Sequence, residues 1–234
     1  VDRQLQLHLH LRMALDEARD QRRHVAASEA QRRVDAQQAA RRLARALQRL
    51  AELVDLAKRK PGELTYASGG TGTSMHISGE LLNLIGSVKI QHVPYKSTPL
   101  AVNAVLANEV SMTFASAPTV LPQVRAGKLR ALGLTSAKPL AALPDMPTLA
   151  AQGLDGYDVS AWFGLAAPTG TPEPVIARLN AETLQVMAMP AVREKLVTQG
   201  MEPLVSTPAE FGTFIRAEID RLGKVVKASG AKVN

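Results

Sequence analysis

The sequence predicts an α/β fold built on a parallel sheet, and two observations support this. From residue 51 onward, short apolar segments alternate with amphipathic segments of helical periodicity. Gly and Pro separate many of these segments, and all sixteen Gly and fourteen Pro lie after residue 50. Strands that alternate with helices of this length are typical of right-handed βαβ crossovers, which produce parallel sheets.

Residues 1–50 differ from the rest of the chain. They contain eleven Arg, no Lys and six acidic residues, a balance of +5, whereas the remaining residues have a balance of only +2. Good helix formers dominate, and apolar spacing predicts a long helix from about Ala26 to Lys58. Three interpretations stay open for this segment: a solvated helical extension, an Arg-rich helix that binds nucleic acid or a partner helix, or a reading-frame or start-site artefact.

The predicted elements after residue 51 follow hydrophobic periodicity and turn signals. The residue before or after most of them is Gly or Pro, and the last helix opens with the capping box Thr207–Glu210. Trp162 lies on an apolar strand and is predicted to belong to the core. Helices are predicted over 51–60, 75–85, 98–107, 115–127, 148–152, 171–187, 191–199 and 208–229, and strands over 64–67, 88–93, 110–114, 129–135, 159–166 and 204–205.

The candidate site is the stretch 66–76, in which the glycine loop, residues 69–73, joins the first predicted strand to a helix. Three glycines within four positions let the backbone turn with positive φ and approach a ligand closely. The hydroxyl groups of the loop and the N–H groups of the following helix would bind an anion. Ligands of parallel sheets gather at the carboxyl ends of the strands, so Tyr95 and the Ala115–Ser116 loop are expected beside it. The alternative is a tight turn without a ligand.

The loop does not match the phosphate-binding motifs. It lacks the Gly-Lys-Ser/Thr ending of a P-loop, and Met75 stands where a dinucleotide fingerprint has its third glycine. A small carboxylate therefore fits the loop better than a nucleotide.

No catalytic or metal-binding pattern is evident in the sequence. There is no Cys, and neither His76 nor His92 has the spacing of a metal-binding motif. Ser68 and Ser116 lack the nucleophile-elbow pattern. His76 lies beside the loop, where it would either touch ligand or play a structural part. We expect no catalytic residues, no metal and no cofactor. An enzyme acting on a small acid through His76 ranks as the weakest alternative.

No run of apolar residues is long enough to span a bilayer, and the N-terminus shows no apolar region of a signal peptide. Taken literally, the chain is expected to be soluble and unexported.

Several motifs in order resemble the Bug-type solute receptors of tripartite tricarboxylate transporters, from about Ala51 to the C-terminus. They begin with the glycine loop and continue through the end of the second predicted strand to the Pro- and Thr-rich turns near the C-terminus. The matching segments are residues 61–73, His76, 79–80, 92–96, 118–122, 126–132, 143–148, 162–168, 170–172, 179–180 and 207–211.

The resemblance implies a periplasmic-binding-protein type II fold, in which two α/β lobes close over a small carboxylate or amino acid. Residues 51–165 would form the second, largely complete ligand-binding lobe. Residues 166–234 would be C-terminal helices and a short strand belonging to an incomplete first lobe, and residues 1–50 an atypical helical extension. The ligand-binding residues implied are Ser68, Gly69, Gly70, Thr71, Gly72, Thr73, Ser74, His76, Tyr95 and Ser116.

The resemblance also implies partners and a location. The membrane subunits of a tripartite tricarboxylate transporter would be the protein partners, the periplasm the compartment, and no nucleic acid is expected to bind. A cytoplasmic fragment is the alternative location, because no signal peptide is seen. The first-lobe ligand loop of the family has no counterpart in residues 1–50, so we expect weak or absent ligand binding.

Overall fold

The computed structural model describes residues 19, 22, 23, 26–39 and 49–229. Residues 26–39 form helix α1, which is mostly exposed. Residues 40–48, in the middle of the helix predicted from Ala26 to Lys58, lie outside the described residues. That prediction is wrong at Arg49, whose backbone is extended (φ −138°, ψ 154°). The Arg49 N–H lies 3.4 Å from the Glu52 carboxylate, so a new helix begins at Leu50.

The remaining elements alternate between strand and helix as far as α5 and are mainly helical thereafter. Each of the predicted helices after residue 51 is present, with ends within a few residues of the prediction, although the one predicted over 148–152 is a 3₁₀ turn. In chain order the elements are α2 (Leu50–Arg59), β1 (Thr65–Ser68), α3 (Ser74–Gly86), β2 (Gln91–Pro94), α4 (Thr98–Leu106), β3 (Met112–Thr113), α5 (Ala117–Arg125), a 3₁₀ turn (Ala150–Gln152), α6 (Glu173–Ala188), α7 (Pro190–Thr198) and α8 (Pro208–Ser229).

The three strands form one parallel sheet in the order β2-β1-β3. Tyr66 at the centre of β1 pairs with His92 of β2 on one side and with Met112 of β3 on the other. All four residues of β1 are buried, as expected for the middle strand of a parallel sheet that is covered by helices. The α/β class predicted from the alternation of elements is therefore confirmed.

The core lies between this sheet and helices α2, α3 and α4. Apolar side chains at helical spacing on α2 supply one wall, among them Leu53 and Ala57, which are 2% and 0% exposed. Leu64 and Tyr66 fill the centre, and both are fully buried. Each buried side chain of this size is worth about 1.5–3 kcal/mol of transfer free energy, so Leu64 and Tyr66 anchor β1 in the core.

Helix α8 packs against α3. Its Leu222 and Val225 contact the core cluster, and the Arg221 guanidinium hydrogen-bonds to the Asp158 carbonyl oxygen. The predicted capping box is present, because the Thr207 N–H donates to the Glu210 carboxylate at 2.8 Å. These hydrogen bonds from Thr207 lower the pKa of Glu210. The assignment of 166–234 to a first lobe stays a prediction.

Three predicted strands are absent. Residues 129–135 contribute only one bridge, from Leu134 to Thr148, and 159–166 and 204–205 form no strand. All residues from 160 to 170 are exposed, and no described strand lies beside them to accept a ladder of hydrogen bonds. Apolar alternation reports a face that could be buried, and it does not report whether a partner strand is available.

Trp162 is not a core residue as predicted, because 39% of its surface is exposed. Its ring instead packs edge-on against Phe211 and Phe214 of α8, with centroids 5.7 Å and 5.4 Å apart. Phe163 and Leu165, on the same segment, are 83% and 75% exposed. The segment therefore forms a small surface cluster with α8 and not a buried strand.

Candidate functional site at the carboxyl edge of the sheet

Three loops meet at the carboxyl edge of the sheet, as the sequence predicts. Since β1, β2 and β3 are parallel, the loops that follow them emerge at the same edge, and each leads into the N-terminus of a helix. The glycine loop follows the central strand and so lies between the other two. Its Gly69 is close to the backbone of Thr98 at the start of α4, where an added Cβ would lie 3.1 Å from the Thr98 nitrogen.

The glycine loop is a closed turn held by its own hydrogen bonds. Gly70 and Gly72 have φ values of +132° and +82°, which side chains other than glycine rarely tolerate. The Thr73 hydroxyl donates to the Gly70 carbonyl at 2.7 Å and accepts from the His76 N–H at 3.4 Å, which makes Thr73 the N-cap of α3. The two glycines therefore provide the bend and Thr73 fixes it.

Ser68 lies beneath the loop and is fully buried. Its Oγ is 2.6 Å from His92 Nε2 and accepts from the Gly70 N–H at 3.1 Å. A Ser–His contact of this kind occurs in nucleophilic sites, and no residue spacing in the sequence indicated it. Here the hydroxyl is enclosed by the loop, so a substrate cannot reach it. Ser68 holds the base of the loop in place.

His76 lies next to the loop, as predicted, but its ring turns inward. It is 5% exposed, and its Nδ1 accepts a hydrogen bond from the Gly72 N–H at 3.1 Å. The other ring nitrogen, Nε2, is 3.9 Å from the Glu80 carboxylate one helical turn further on. These partners assign the proton to Nε2 and the lone pair to Nδ1.

His92 was not among the predicted site residues, yet it lies at the centre of this cluster. Its ring stacks on His76 with centroids 4.0 Å apart and on Tyr66 at 5.0 Å. Burial, and to a lesser extent the neighbouring His76, lower the pKa of His92 to about 4. Paired residues of parallel strands share a face and side chains alternate, so His92, which pairs with Tyr66, lies on the same side of the sheet as Ser68. A local sequence pattern does not specify this register.

Tyr66 and Glu80 close the cluster at its far side. The Tyr66 hydroxyl donates to the Glu80 carboxylate at 2.6 Å. Burial and this hydrogen bond to Glu80 raise the pKa of Tyr66, so the phenol stays protonated. Gly79 lies against the face of the ring, where an added Cβ would overlap it.

The other predicted residues occupy the outer surface and the flanks. Thr71 and Gly72 are exposed, and Ser74 is half-buried at the first position of α3. On the flanks, the Tyr95 hydroxyl lies 3.3 Å from the Glu109 carboxylate and the Ser116 hydroxyl 3.0 Å from that of Thr119. The predicted set thus divides into an outer layer that faces solvent and an inner layer, Ser68 and His76, that supports it.

The electrostatics of the edge favour an anion. The three loops, residues 69–73, 95–97 and 114–116, contain one Lys and no acidic residue. Each leads into a helix N-terminus, which carries a partial positive charge. The first N–H groups of α3 have no acceptor within the helix. Within the described part of the chain, no group of three or more His, Cys, Asp or Glu side chains could hold a metal ion.

The sequence matches the family described as the tripartite tricarboxylate transporter family receptor over residues 40–231. The chain belongs to this family. Among related sequences, a UPF0065 protein from the tcbD–tcbE intergenic region of Pseudomonas sp. strain P51 is 36% identical over 76% of this chain and 53% of its own length. BugT of Bordetella pertussis is 34% identical over 80% of this chain and 57% of its own length. The chain thus spans little more than half the length of these relatives.

Solved structures of related receptors share the fold. Rpa4515 of R. palustris, solved with adipate, superposes with a TM-score of 0.76 at 32% identity, covering 79% of this chain and 62% of its own. MatC of Rhodopseudomonas palustris, solved with bound malate, gives a TM-score of 0.68 at 31% identity, covering 76% and 62%. The predicted Bug-type family and the periplasmic-binding-protein fold are confirmed. In the part of the chain that is described, no helix is both long and apolar enough to cross a membrane.

Proposed function

We propose that this chain is a solute receptor of a tripartite tricarboxylate transporter and that the carboxyl edge of its sheet is one side of a carboxylate site. Family membership supports the receptor role, and the related receptors with adipate and malate support the ligand class. The single observation that carries the location is the convergence of three loops and three helix N-termini at one edge, with the glycine loop in the middle.

The outer layer of the glycine loop supplies suitable donors. The hydroxyl groups of Thr71 and Ser74 make no hydrogen bond to any residue that the structure describes, and the first N–H groups of α3 point out of the helix. A carboxylate accepts several hydrogen bonds and gains from the partial positive charge of the helix N-terminus. Lys96 on the neighbouring turn adds the one full positive charge in these three loops.

Among the residues that the structure describes, the site has donors on one side only. The described residues opposite the loop do not include a second ligand loop, which relatives would contribute from the other lobe. We therefore expect this chain to bind adipate with a dissociation constant on the order of 1 mM, about −4 kcal/mol. The membrane subunits of the transporter would be its protein partners and the periplasm its compartment.

The test is a two-dimensional NMR titration of the full chain with adipate, with the neutral diamide adipamide as the matched control. We expect adipate to shift the amide signals of Thr71, Ser74 and Met75, because these N–H groups would meet the charged oxygens. Adipamide has the same length without charge and should shift them far less. Equal shifts with both compounds, or shifts confined to other parts of the chain, would contradict the proposal. Micromolar affinity would contradict the one-sided site.

A further inference from the structure

The glycine loop is supported from below by a pair of imidazole rings. His76 comes from α3 and His92 from β2, and their rings lie nearly parallel, 17° apart. Each ring contacts the loop or its base at a different point: His76 at the Gly72 N–H and His92 at the Ser68 hydroxyl. Neither contact is part of the sheet or of a helix, so the two rings add support to the bend that the glycines and Thr73 provide.

The contact at Gly72 requires a neutral His76. An amide N–H can only donate, so Nδ1 must offer a lone pair, and a protonated imidazole has none to offer. The Ser68 hydroxyl is less demanding, since it can donate to a neutral His92 or accept from a charged one. Protonation of His76 would place two donors, the Gly72 N–H and Nδ1–H, face to face. The loop would then have to move.

The stacking of the two rings disfavours a state in which both are charged. Two charged rings 4.0 Å apart would repel each other in a partly buried site. Glu80 lies at Nε2 of His76, on the side away from Gly72, and so orients the tautomer. Among the described residues, the ionisable groups in contact with the two rings are Tyr66 on β1, which stacks on His92, and Glu80 on α3, which lies at His76 Nε2. The Tyr157 hydroxyl donates to the Ser78 carbonyl on α3. On α8, Arg221 is engaged with Glu218 and Asp158.

We propose that His76, supported by the stacked ring of His92, is a positioning residue that gives the glycine loop its ligand-binding shape only while its Nδ1 is unprotonated. A role of His76 in ligand binding rests on the proposed carboxylate site, whereas the hydrogen bond from the Gly72 N–H to His76 Nδ1 does not. Acid would release the Gly72 N–H and change the direction of the loop. The receptor would thus lose carboxylate affinity at low pH through its own loop, independently of the charge of the ligand.

Two variants separate the parts of this mechanism. His76→Phe keeps a ring to stack on His92 but removes the acceptor. His76→Asn places an amide oxygen near the position of Nδ1, where it accepts from the Gly72 N–H without titrating. We expect the Gly72 N–H to exchange with solvent about tenfold faster in His76→Phe than in the wild type at pH 7.5. In His76→Asn the exchange rate should stay close to that of the wild type.

The pH dependence is the decisive measurement. In the full wild-type chain labelled with ¹⁵N-Gly and ¹⁵N-His, we expect the Gly72 amide signal to move together with the His76 ring signals as the sample is acidified. In the His76→Asn variant the Gly72 amide signal should no longer show this pH-dependent shift. Any one of three results would overturn the proposal. These are a Gly72 amide signal that does not follow the His76 ring signals, a pH-dependent shift of Gly72 that persists in His76→Asn, and an unchanged rate of hydrogen exchange at the Gly72 N–H in His76→Phe. If His76→Phe does not fold, the pH titrations of the wild type and of His76→Asn still test the proposal.

Adipate titrations separate this inference from the proposed function. If adipate does not shift the amide signals of the wild-type loop but the Gly72 signal follows the His76 ring signals on acidification, the positioning role of His76 is supported and the carboxylate site is refuted. If adipate binds, we expect at least a threefold weaker affinity in His76→Phe and a restored affinity in His76→Asn. Equal adipate affinity in the wild type and His76→Phe would show that the hydrogen bond between Gly72 and His76 has no part in adipate binding.

Discussion

The rings of His76 and His92 stack with their centroids 4.0 Å apart directly beneath the glycine loop. One ring comes from the helix that follows the loop and the other from the neighbouring strand, so the pair links α3 to β2 across the base of the site. Ser68, Tyr66 and Glu80 complete a cluster of polar groups, of which Ser68, Tyr66 and His76 are buried and the other two partly buried. The site edge therefore rests on a layer of ionisable groups, and its stability depends on their protonation.

The first prediction concerns acid stability and His92. The pKa of this ring lies at about 4 in the folded chain, against an ordinary value of 6.5. The unfolded chain therefore takes up the proton first, and the stability present above pH 6.5 is progressively lost as the pH falls toward 4. Because the ring is only partly buried and solvent screens it, we expect a loss on the order of 1–2 kcal/mol.

Urea unfolding of the wild type and of His92→Gln at pH 7.5, 5.5 and 4.5 measures this effect. Gln keeps an amide near the position of Nε2, within reach of Ser68, and does not titrate. Carboxylates contribute equally to both proteins, so the difference between the two pH profiles isolates His92. Identical profiles would refute the assigned shift.

The second prediction compares two helical glycines. A Cβ at Gly79 in α3 would overlap the ring of Tyr66, which is fully buried and cannot move aside. We expect Gly79→Ala to reduce the free energy of unfolding by about 2–3 kcal/mol through overpacking. At Gly223 in α8 an added Cβ meets no atom within 4 Å. Gly223→Ala should be neutral or stabilising by up to about 1 kcal/mol, because Ala favours helix.

Thermal unfolding of both glycine variants, followed by circular dichroism, provides the measurement. The order of the two melting temperatures matters more than their absolute values. A Gly79→Ala protein as stable as Gly223→Ala would show that α3 does not lie as close to Tyr66 as the structure places it.

The third prediction concerns the hydrogen bond between Tyr66 and Glu80. The phenol donates to a carboxylate that is 18% exposed, at 2.6 Å. Removing the hydroxyl in Tyr66→Phe leaves the carboxylate without this donor and should cost about 2 kcal/mol, as for other hydrogen bonds to charged groups. A double-mutant cycle with Glu80→Gln should give a coupling energy of at least about 0.5 kcal/mol. Additive effects of the two substitutions would mean that the pair is not coupled.

The sequence was sufficient to predict the parts of the fold that depend on local signals. Three such signals each depend on only a few neighbouring residues. They are the Pro and Gly residues around the helices, the capping box at Thr207 and the glycine turn before α3. The helices after residue 51 and the position of the glycine loop were accordingly predicted correctly, and family motifs identified the class of receptor.

The missing strands and the inner layer of the site depend on residues distant in sequence. Residues 159–166 alternate like a strand but have no described strand beside them, so their pattern was misleading. His92 escaped prediction because its role arises from stacking on His76, sixteen positions earlier, and from pairing with Tyr66 across the sheet. Such relationships require the register of the strands, which no local pattern specifies.

The last prediction concerns Thr73, which links the loop to α3. Its hydroxyl donates to the Gly70 carbonyl at 2.7 Å and accepts from the His76 N–H at 3.4 Å. Thr73→Val has the same shape without the hydroxyl and should destabilise the chain by about 1–2 kcal/mol, as for other lost N-caps, whereas Thr73→Ser should cost a few tenths. We also expect weaker adipate binding in Thr73→Val, because the closed turn would open.

Thr183→Val is the matched control for this substitution. The Thr183 hydroxyl donates to the Leu179 carbonyl at 2.7 Å on the exposed side of α6, far along the chain from the loop. The same chemical change there should alter stability by no more than about 0.5 kcal/mol and leave adipate binding unchanged. Urea unfolding and adipate titration of the three variants give both readouts. Equal losses in Thr73→Val and Thr183→Val would mean that the Thr73 hydroxyl contributes only helix propensity and does not hold the loop.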